Sequence, residues 1–254
     1  MASTHAYLEP VVPGRPLAFA HRGGAAVGDE NTLAAFGRAV ALGYRHLETD
    51  VRATSDGVAV IFHDATTERM LGERARLADL TWQDLSTLRN AGAIVVPRLD
   101  ELLDTWPDAF VNIDVKTPAS VAPTLTAIGR ADAFDRVLVA SFHDDSLAVA
   151  RRLGGDRLAT SLGRNACVRL GVAAMLGRGG RGATAGAVAA QVPWRATGRR
   201  LINRAHALGL AVHAWTVNDA ATMRGLLDAG ADGIMTDHLD VLRDVYAERG
   251  IWPA

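Results

Sequence analysis

Cysteine is almost absent from this sequence of 254 residues, and lysine is just as rare. Cys167 is the single cysteine, so the chain can form neither an internal disulfide nor a zinc site built on several thiolates. Lys116 is the only lysine among 27 basic residues. Either it survives by chance in an arginine-rich composition, or that place needs a compact ammonium group where a planar guanidinium will not serve.

Neither sign of charge dominates, and long apolar runs are missing. With 27 basic and 28 acidic residues the net charge is −1, which argues against a surface built for nucleic acid. Apolar runs such as 170–176 are far shorter than the about 20 residues that cross a bilayer. Residues 1–16 lack a basic segment followed by an apolar stretch. We therefore expect no secretory signal, no stable membrane insertion and a cytoplasmic location.

Short segments rich in β-branched residues alternate with longer segments of helical period. Predicted strands cover 17–20, 46–51, 58–62, 110–115, 137–141, 157–161, 187–192, 211–217 and 233–236. Predicted helices cover 32–42, 99–106, 120–131, 146–153, 199–208 and 220–229, the first with Asn31 as its N-cap. This alternation predicts parallel strands, and the chain length is usual for a (β/α)8 TIM barrel.

The predicted barrel is a single domain, 1–254, with an irregular region. The nine predicted strands are one more than the barrel contains, and 53–57 is too short for a crossover helix. We therefore expect irregularity around strands two and three. The segment 65–97 is predicted as a small insertion between strands three and four, helical around 82–90. The Gly/Ala/Arg-rich segment 164–186 is predicted to be a mobile loop.

The first four predicted strands end in polar sequence. They carry His21 and Arg22, then Glu48 and Asp50, then His63, and finally Asn112, Asp114 and Lys116. Residues two apart in a strand point to the same face. Functional side chains of a TIM barrel cluster at the C-terminal ends of its strands, so we expect these groups to lie close together.

Three of these groups are carboxylates, from Glu48, Asp50 and Asp114, which would repel one another in a buried site. A hard divalent cation, Mg²⁺ or Ca²⁺, would compensate their charge and leave positions open for water or phosphate. Zinc is less favoured because no histidine stands among them. The alternative is that they pair with Arg52 or Lys116 and hold no metal.

His21 and His63 are the candidate acid and base, because an imidazole with an ordinary pKa of about 6.5 exchanges protons near neutral pH. Arg22 and Lys116 supply positive charge for an anion at the same place. Carboxylates for a metal, two histidines and two cations together indicate phosphodiester cleavage.

Six segments, taken in order, resemble the glycerophosphodiester phosphodiesterase family. They are AHRGG at 20–24, ENT at 30–32, ETDVRATSDGVAVIFHD at 48–64, NIDVK at 112–116, HAWTVND at 213–219 and DGIMTD at 232–237. The resemblance implies a TIM-barrel hydrolase that needs one divalent cation, Mg²⁺ or Ca²⁺. It further implies that a small glycerophosphodiester is converted to sn-glycerol 3-phosphate and an alcohol. As in phosphoinositide-specific phospholipases C, the glycerol hydroxyl of the substrate would attack and water would open the cyclic phosphate.

The resemblance also assigns roles to residues. It places the catalytic histidines on His21 and His63, the metal ligands on Glu48, Asp50 and Asp114, and the phosphate contacts on Arg22 and Lys116. Trp215 is expected to form a wall of the substrate pocket, with a core tryptophan as the alternative. Glu30, Asn31, Phe142 and Gln191 are expected to line the same pocket.

The sequence departs from the family pattern in two places. Asp114 stands where the family has Glu, which shortens one metal ligand by a methylene, and the segment 191–207 is compressed. Two other functions stay open. A lysophospholipase D-type enzyme acting on lipids would need an exposed apolar rim, for which 170–176 is the candidate, although this run is better interpreted as a helix of the barrel. A non-catalytic barrel that binds phosphodiesters would be favoured by loss of a histidine or of two carboxylates, and neither loss is seen.

Overall fold

The computed structural model of the chain describes residues 5–8, 15–88, 95–180, 182, 184 and 186–252. Its strands are β1 (Leu17–His21), β2 (His46–Ala53), β3 (Ala59–Ile61), β4 (Phe110–Val115), β5 (Val137–Ala140), β6 (Ala159–Thr160), β7 (Ala189–Pro193), β8 (Ala211–Trp215) and β9 (Gly233–Thr236). Its α-helices are α1 (Leu33–Ala41), α2 (Glu68–Leu71), α3 (Trp82–Thr87), α4 (Leu99–Thr105), α5 (Val121–Arg130), α6 (Asp144–Gly154), α7 (Arg164–Leu176), α8 (Arg199–His206), α9 (Ala220–Ala229) and α10 (Leu239–Glu248). In the described part of the chain, no helix is both long and apolar enough to cross a membrane.

Eight of the strands form a parallel barrel, which confirms the predicted TIM fold. Their order is β6-β5-β4-β2-β1-β9-β8-β7, and a parallel bridge between Ser161 and Ala189 joins the two ends. Each barrel strand except β2 is followed directly by at least one helix, and β2 reaches its helices through β3. Both faces of the strands are therefore covered, which explains why β5 is a fully buried apolar run and why β2 is buried along most of its length although it carries polar residues.

The ninth strand, β3, lies outside the barrel, in the region where irregularity was expected. It pairs antiparallel with the extended end of β2, with Val51 opposite Ile61 and Ala53 opposite Ala59. The link between them is a tight turn in which Gly57 has a φ of 77°. A hairpin needs only such a turn, whereas a parallel connection needs a crossover, and this accounts for the shortness of 53–57.

The segment after β3 folds on its own small apolar cluster. Leu71, Leu77 and Leu85 pack there with Val60 and Phe62, and all five are buried. Of the helix predicted at 82–90, α3 covers Trp82–Thr87, and residues 89 and 90 lie outside the described residues. The cluster forms the interior of the predicted insertion.

Two local predictions were wrong. Residues 164–176 of the predicted loop form α7, which agrees with the barrel-helix interpretation of 170–176, because alanine, leucine, methionine and arginine are good helix formers and Ala166, Leu170 and Ala173 supply a buried stripe. The N-cap of α1 is Thr32 rather than Asn31, since the Thr32 hydroxyl accepts a hydrogen bond from the Ala35 amide over 3.1 Å.

Aromatic rings fill the barrel at the N-terminal ends of its strands. Tyr7, which precedes β1, packs edge-on against His46 and Phe110, with ring centroids about 6 Å apart. Phe19 also contacts His46 and, on its other side, His213. This packing closes one end of the barrel and leaves the C-terminal ends of the strands as the open end.

Candidate active site

A cavity of about 840 Å³ opens at the C-terminal ends of the barrel strands, within the usual size range of small-molecule sites. Ten of the twelve predicted site residues line it. They are His21, Arg22, Glu48, Asp50, His63, Asp114, Lys116, Phe142, Gln191 and Trp215. The parallel strands thus bring together groups that are up to 194 residues apart in the sequence.

The turn after β1 positions Arg22 by an unusual backbone conformation. Arg22 has a φ of 52°, and Gly23 follows with a φ of 81°, a region that side chains other than glycine rarely adopt. A Cβ on Gly23 would lie 2.9 Å from the Ala35 Cβ, and one on Gly24 would lie 2.7 Å from Leu239. The two glycines therefore let the turn pack tightly on α1 and α10, which turns Arg22 into the cavity.

His21 is held between two carboxylates. Its Nδ1 lies 2.6 Å from Asp237 Oδ1, and its Nε2 lies 3.8 Å from Glu48 Oε2. Burial lowers the pKa of His21, but the negative charges of Glu48 and Asp237 outweigh burial and raise it overall. With Nδ1 occupied by Asp237, Nε2 is the ring nitrogen that faces the cavity.

His63 repeats this arrangement on the other side of the site. Its Nδ1 lies 2.7 Å from Asp64 Oδ1, and Arg52 Nε donates to the His63 carbonyl oxygen over 2.9 Å. Arg69, on α2, donates to Asp64 Oδ2 over 2.5 Å and so holds the carboxylate that orients the ring. In both candidate histidines the carboxylate hydrogen bond is on Nδ1, which leaves Nε2 as the nitrogen for proton exchange with a bound molecule, although in His21 this atom also lies 3.8 Å from Glu48 Oε2.

Glu30 and Asn31 lie behind the cavity wall instead of lining the cavity. Glu30 accepts hydrogen bonds from Arg22 Nη1 over 3.0 Å and from Arg69 Nη2 over 2.6 Å. Asn31, with a φ of 60°, donates from Nδ2 to Asp50 Oδ2 over 2.8 Å. Their function in the structure is to hold Arg22 and Asp50 in place.

Lys116 bridges two of the three candidate ligand carboxylates. Its Nζ lies 2.5 Å from Asp50 Oδ1 and 2.6 Å from Asp114 Oδ2. Burial alone would lower the pKa of Lys116, but the two carboxylates raise it overall. The ion pairing that stood as the alternative to a metal is thus present with Lys116, whereas Arg52 lies against His63.

Glu48 is the least compensated of the three. It is buried, and besides His21 it contacts the Arg22 backbone amide, which donates to Oε2 over 3.0 Å. Burial and the neighbouring charge of Asp50 raise the pKa of Glu48 well above its usual range. In Asp50, by contrast, Lys116 and Arg22 overcome the effect of burial and lower the pKa.

The donor set fits a divalent cation in type. Glu48, Asp50 and Asp114 carry hard oxygen atoms, and a cation would supply the positive charge that the buried Glu48 carboxylate lacks. As they stand, no three Asp, Glu, His or Cys side chains among the described residues converge on one point where an ion could bind. Lys116 lies between Asp50 and Asp114, so an ion shared by all three carboxylates requires its ammonium group to release at least one of them.

The opposite wall of the cavity is largely apolar. Phe142 and Trp215 meet edge to face with ring centroids 5.8 Å apart, and Gln191 Nε2 donates to Asn112 Oδ1 over 2.6 Å. Trp215 is half-buried and faces the cavity, which agrees with a wall and not with a core position. The compressed segment 191–207 adds Pro193 and the start of α8 to the same wall.

Three contributors to the site were missed from the sequence alone. Asp237 and Asn218 form one hydrogen-bonded group, in which Asn218 Nδ2 donates to Asp237 Oδ2 over 2.9 Å. Arg69 reaches the site from the insertion. The segments 213–219 and 232–237 had been singled out, and the aspartate directly after the last strand was the signal that could have revealed Asp237.

Comparisons with known proteins agree with this geometry. The sequence profile of the glycerophosphoryl diester phosphodiesterase family matches residues 21–241. "Probable glycerophosphodiester phosphodiesterase 2" of Mycobacterium tuberculosis H37Rv is 39% identical over 251 residues, which cover 94% of each chain.

Solved structures share the fold. A protein of Silicibacter pomeroyi DSS-3 classed with the glycerophosphoryl diester phosphodiesterases superposes with a TM-score of 0.84 at 25% identity, over 98% of this chain and 100% of that one. An Oleispira antarctica phosphodiesterase, solved in complex with the product sn-glycerol-3-phosphate, has a TM-score of 0.77 at 20% identity, over 91% and 97% of the two chains. By its profile and its nearly full-length relative, the chain belongs to the glycerophosphoryl diester phosphodiesterase family.

Proposed function

We propose that this phosphodiesterase hydrolyses water-soluble glycerophosphodiesters to sn-glycerol 3-phosphate and an alcohol, with His21 and His63 as its acid and base. The observation that carries the proposal is the paired arrangement of the histidines. Each has Nδ1 on a carboxylate, from Asp237 or Asp64, and each lines the cavity. This arrangement suits two proton transfers at opposite sides of one bound phosphate.

The reaction needs two such transfers. The glycerol hydroxyl adjacent to the phosphate attacks phosphorus and gives its proton to one histidine, while the bond from phosphorus to the leaving alcohol breaks. The other histidine protonates the leaving oxygen. Water then opens the cyclic phosphate with the roles reversed, so one water is consumed and both histidines return to their starting states.

Arg22 and Lys116 bind the phosphate in this proposal. Both line the cavity beside the histidines, and a guanidinium suits two phosphate oxygens at once. Glu30 and Asp50 hold Arg22 from behind, which limits its motion before substrate binds. The arginine is thereby oriented in advance, and less conformational entropy is lost on binding.

The proposal includes one divalent cation, Mg²⁺ or Ca²⁺, held by Glu48, Asp50 and Asp114. Such an ion would withdraw charge from the phosphate oxygens and lower the pKa of the attacking hydroxyl. The supporting observation is the buried, poorly compensated Glu48 carboxylate. A cytoplasmic location is part of the same proposal, since a single cysteine suits a reducing compartment.

The test is release of sn-glycerol 3-phosphate from glycerophosphocholine and glycerophosphoethanolamine, with EDTA, Mg²⁺ and Ca²⁺ as separate arms. We expect release that depends on the metal and falls about 10²–10⁴-fold in His21→Ala and His63→Ala. His143→Ala is the matched control, since His143 is exposed and does not line the cavity. Folded protein that releases no product in any arm contradicts the proposal.

A further inference from the structure

The cavity carries its charged side chains in two separate groups. The three acids and two cations already described lie together at the strand ends. The wall formed by the first turns of α7 and α8 carries three further cations, Arg164, Arg199 and Arg200, which we call the arginine wall. Among the described residues that line the cavity, no aspartate or glutamate belongs to that wall. One side of the cavity is therefore nearly balanced in charge, and the other is purely cationic.

The positive charges of the arginine wall have no counterions. In the described part of the chain, the side chains of Arg164 and Arg200 have neither an ion-pair partner nor a hydrogen-bond partner. The Arg199 side chain donates only to a backbone oxygen, that of Asp228, over 2.9 Å. All three arginines are exposed, so their guanidinium groups are free to turn toward a molecule in the cavity.

Helix stability does not account for these three positions. The amino end of an α-helix carries partial positive charge, so acids are favoured in its first turn and arginines are not. Arg164 begins α7, Arg199 and Arg200 begin α8, and neither helix has an acid in its first turn. The Asp144 carboxylate, which lies at the start of α7, accepts hydrogen bonds from two backbone amides of that helix. A bound anion would supply the negative charge that the arginine wall lacks.

The place of the arginine wall indicates which part of a substrate it meets. In the proposed function the scissile phosphate binds at Arg22 and Lys116, and the glycerol part of the substrate carries only hydroxyl groups. A second negative charge on the substrate therefore belongs to the alcohol that leaves. The arginine wall and the phosphate site line one cavity of about 840 Å³, which lies near the upper end for small-molecule sites and leaves room for a second anionic group.

We propose that the arginine wall selects glycerophosphodiesters whose leaving alcohol carries a second phosphate group. The inference rests on the proposed function and adds a substrate class to it. Guanidinium groups suit phosphate oxygens geometrically, and like charges across a binding site disfavour a cationic alcohol such as choline. The reaction is unchanged: the bond from phosphorus to the leaving alcohol breaks, one water is consumed, and the products are sn-glycerol 3-phosphate and the phosphorylated alcohol.

The aromatic side chains of the cavity favour the opposite choice. Phe142 and Trp215 lie 5.8 Å apart between ring centroids, and aromatic faces attract ammonium groups. The arginine wall opposes such binding, because an ammonium group in the cavity is repelled by all three of its charges. A preference for cationic alcohols is therefore the outcome that contradicts the proposal.

The first experiment compares three substrates that differ in the charge of the leaving alcohol. They are the phosphodiesters of sn-glycerol 3-phosphate with 3-aminopropanol, propanol and 3-hydroxypropyl phosphate, and glycerol phosphate release is measured at a fixed free concentration of the divalent cation. We expect kcat/KM for the phosphorylated alcohol to exceed that for the amino alcohol at least about tenfold, and the difference to shrink as salt is added. Equal values, or a preference for the amino alcohol, overturn the inference, whereas hydrolysis of the propyl ester leaves the proposed function intact.

The second experiment removes the charges one at a time. Arg164→Gln and Arg200→Gln change the arginine wall, and Arg169→Gln is the matched control, since Arg169 is exposed on α7 and does not line the cavity. We expect each wall variant to lower the ratio of kcat/KM for the phosphorylated alcohol to that for the amino alcohol about threefold to tenfold. The change should lie mainly in KM, and Arg164→Lys and Arg200→Lys should restore part of the ratio. A ratio that the wall variants leave unchanged, or that Arg169→Gln lowers equally, overturns the inference.

The third experiment measures binding and does not depend on turnover. Calorimetry compares alkyl phosphates of three, five and seven carbons with the bisphosphates of the corresponding terminal diols. We expect at least one bisphosphate to bind at least about tenfold more tightly than the alkyl phosphate of equal length. This gain should disappear in the double variant of Arg164→Gln and Arg200→Gln. Bisphosphates that bind no more tightly than alkyl phosphates, or a gain that the double variant keeps, overturn the proposal even if the enzyme proves inactive.

Discussion

His21 Nδ1 lies 2.6 Å from Asp237 Oδ1, although 216 positions separate the two residues in the sequence. The contact spans β1 and β9, which are neighbours in the barrel. Asn218 fixes the aspartate in turn, since its side-chain oxygen accepts a hydrogen bond from the Asp237 amide over 3.0 Å. A carboxylate that follows the last strand of the barrel thus orients an imidazole carried by the first strand.

Asp237→Asn should lower kcat for glycerophosphocholine about 10²–10⁴-fold with little change in melting temperature, because an amide can stabilise the wrong tautomer of His21. Steady-state kinetics and a thermal melt of the same preparation check this. Asp240→Asn is the control, since Asp240 is exposed and pairs with Arg243 on the outside of α10. Equal kcat values for Asp237→Asn and the parent would contradict the orienting role.

A substrate with an activated leaving group should separate the two histidines. p-Nitrophenolate leaves without a proton, so the variant that lacks the general acid should recover most of its rate on the p-nitrophenyl ester of glycerol 3-phosphate. The variant that lacks the base should stay slow on that ester and on glycerophosphocholine. Rates of His21→Ala and His63→Ala on both substrates give the assignment. Identical losses for both variants on both substrates would speak against a division of roles.

Lys116→Arg should reduce kcat/KM at least about tenfold despite keeping the charge. The ammonium contacts Asp50 and Asp114 at 2.5 and 2.6 Å, and a planar guanidinium cannot occupy the same space between them. Arg38→Lys serves as the opposite exchange at an exposed ion pair with Asp29 and should leave kcat/KM unchanged. A fully active Lys116→Arg enzyme would favour chance as the reason for the single lysine.

Glu48→Gln should raise the concentration of divalent cation needed for half-maximal activity about tenfold or more, since it removes a charged ligand. The same variant should lose the rise in melting temperature that the cation produces in the parent, a readout independent of turnover. Asp114→Glu, which lengthens one of the proposed ligands by a methylene, should lower the required concentration. A cation requirement that Glu48→Gln leaves unchanged would remove Glu48 from the metal site.

Protonation of His213 should lower the free energy of unfolding as the pH falls. Burial lowers the pKa of His213 to about 4, with Asp232 opposing only in part, whereas in the unfolded chain it is about 6.5. The unfolded state therefore binds the proton first, so stability is fully present above pH 6.5 and declines toward pH 4, by about 3 kcal/mol for this group. Urea titrations between pH 4 and 7 should show a shallower slope in His213→Leu than in the parent or in His143→Gln.

Much of the barrel and site could be predicted because each buried parallel strand has a recognisable pattern in its own short stretch of sequence. Buried strands show as short apolar runs, and polar residues at their ends meet at one rim whatever their separation in the chain. This logic predicted that Glu48, Asp50 and Asp114 lie close together at the strand ends, and all three line the cavity there. The role of Asn31 was mistaken because the sequence does not distinguish an asparagine that caps a helix from one that binds a carboxylate. The two roles differ in backbone conformation, which the sequence does not reveal.

The missed features share a different cause. No local pattern links Arg69 with Glu30, which are 39 residues apart and meet only through the packing of the insertion. The helix α7 was mistaken for a loop because its residues were grouped with the glycine- and arginine-rich residues 177–182 that follow, and because Val172 and Leu176 make its outer face apolar, which hides the helical period.

The part of the insertion that follows β3 and precedes α4 has a consequence for how new specificities can arise. It has its own apolar cluster, and its Arg69 joins Glu30 and Asp64 at the edge of the site. A module with a separate interior can be exchanged between relatives without repacking the barrel, provided that the incoming segment carries a cation at the place of Arg69. Substrate range can then change by recombination while His21 and His63 stay where they are.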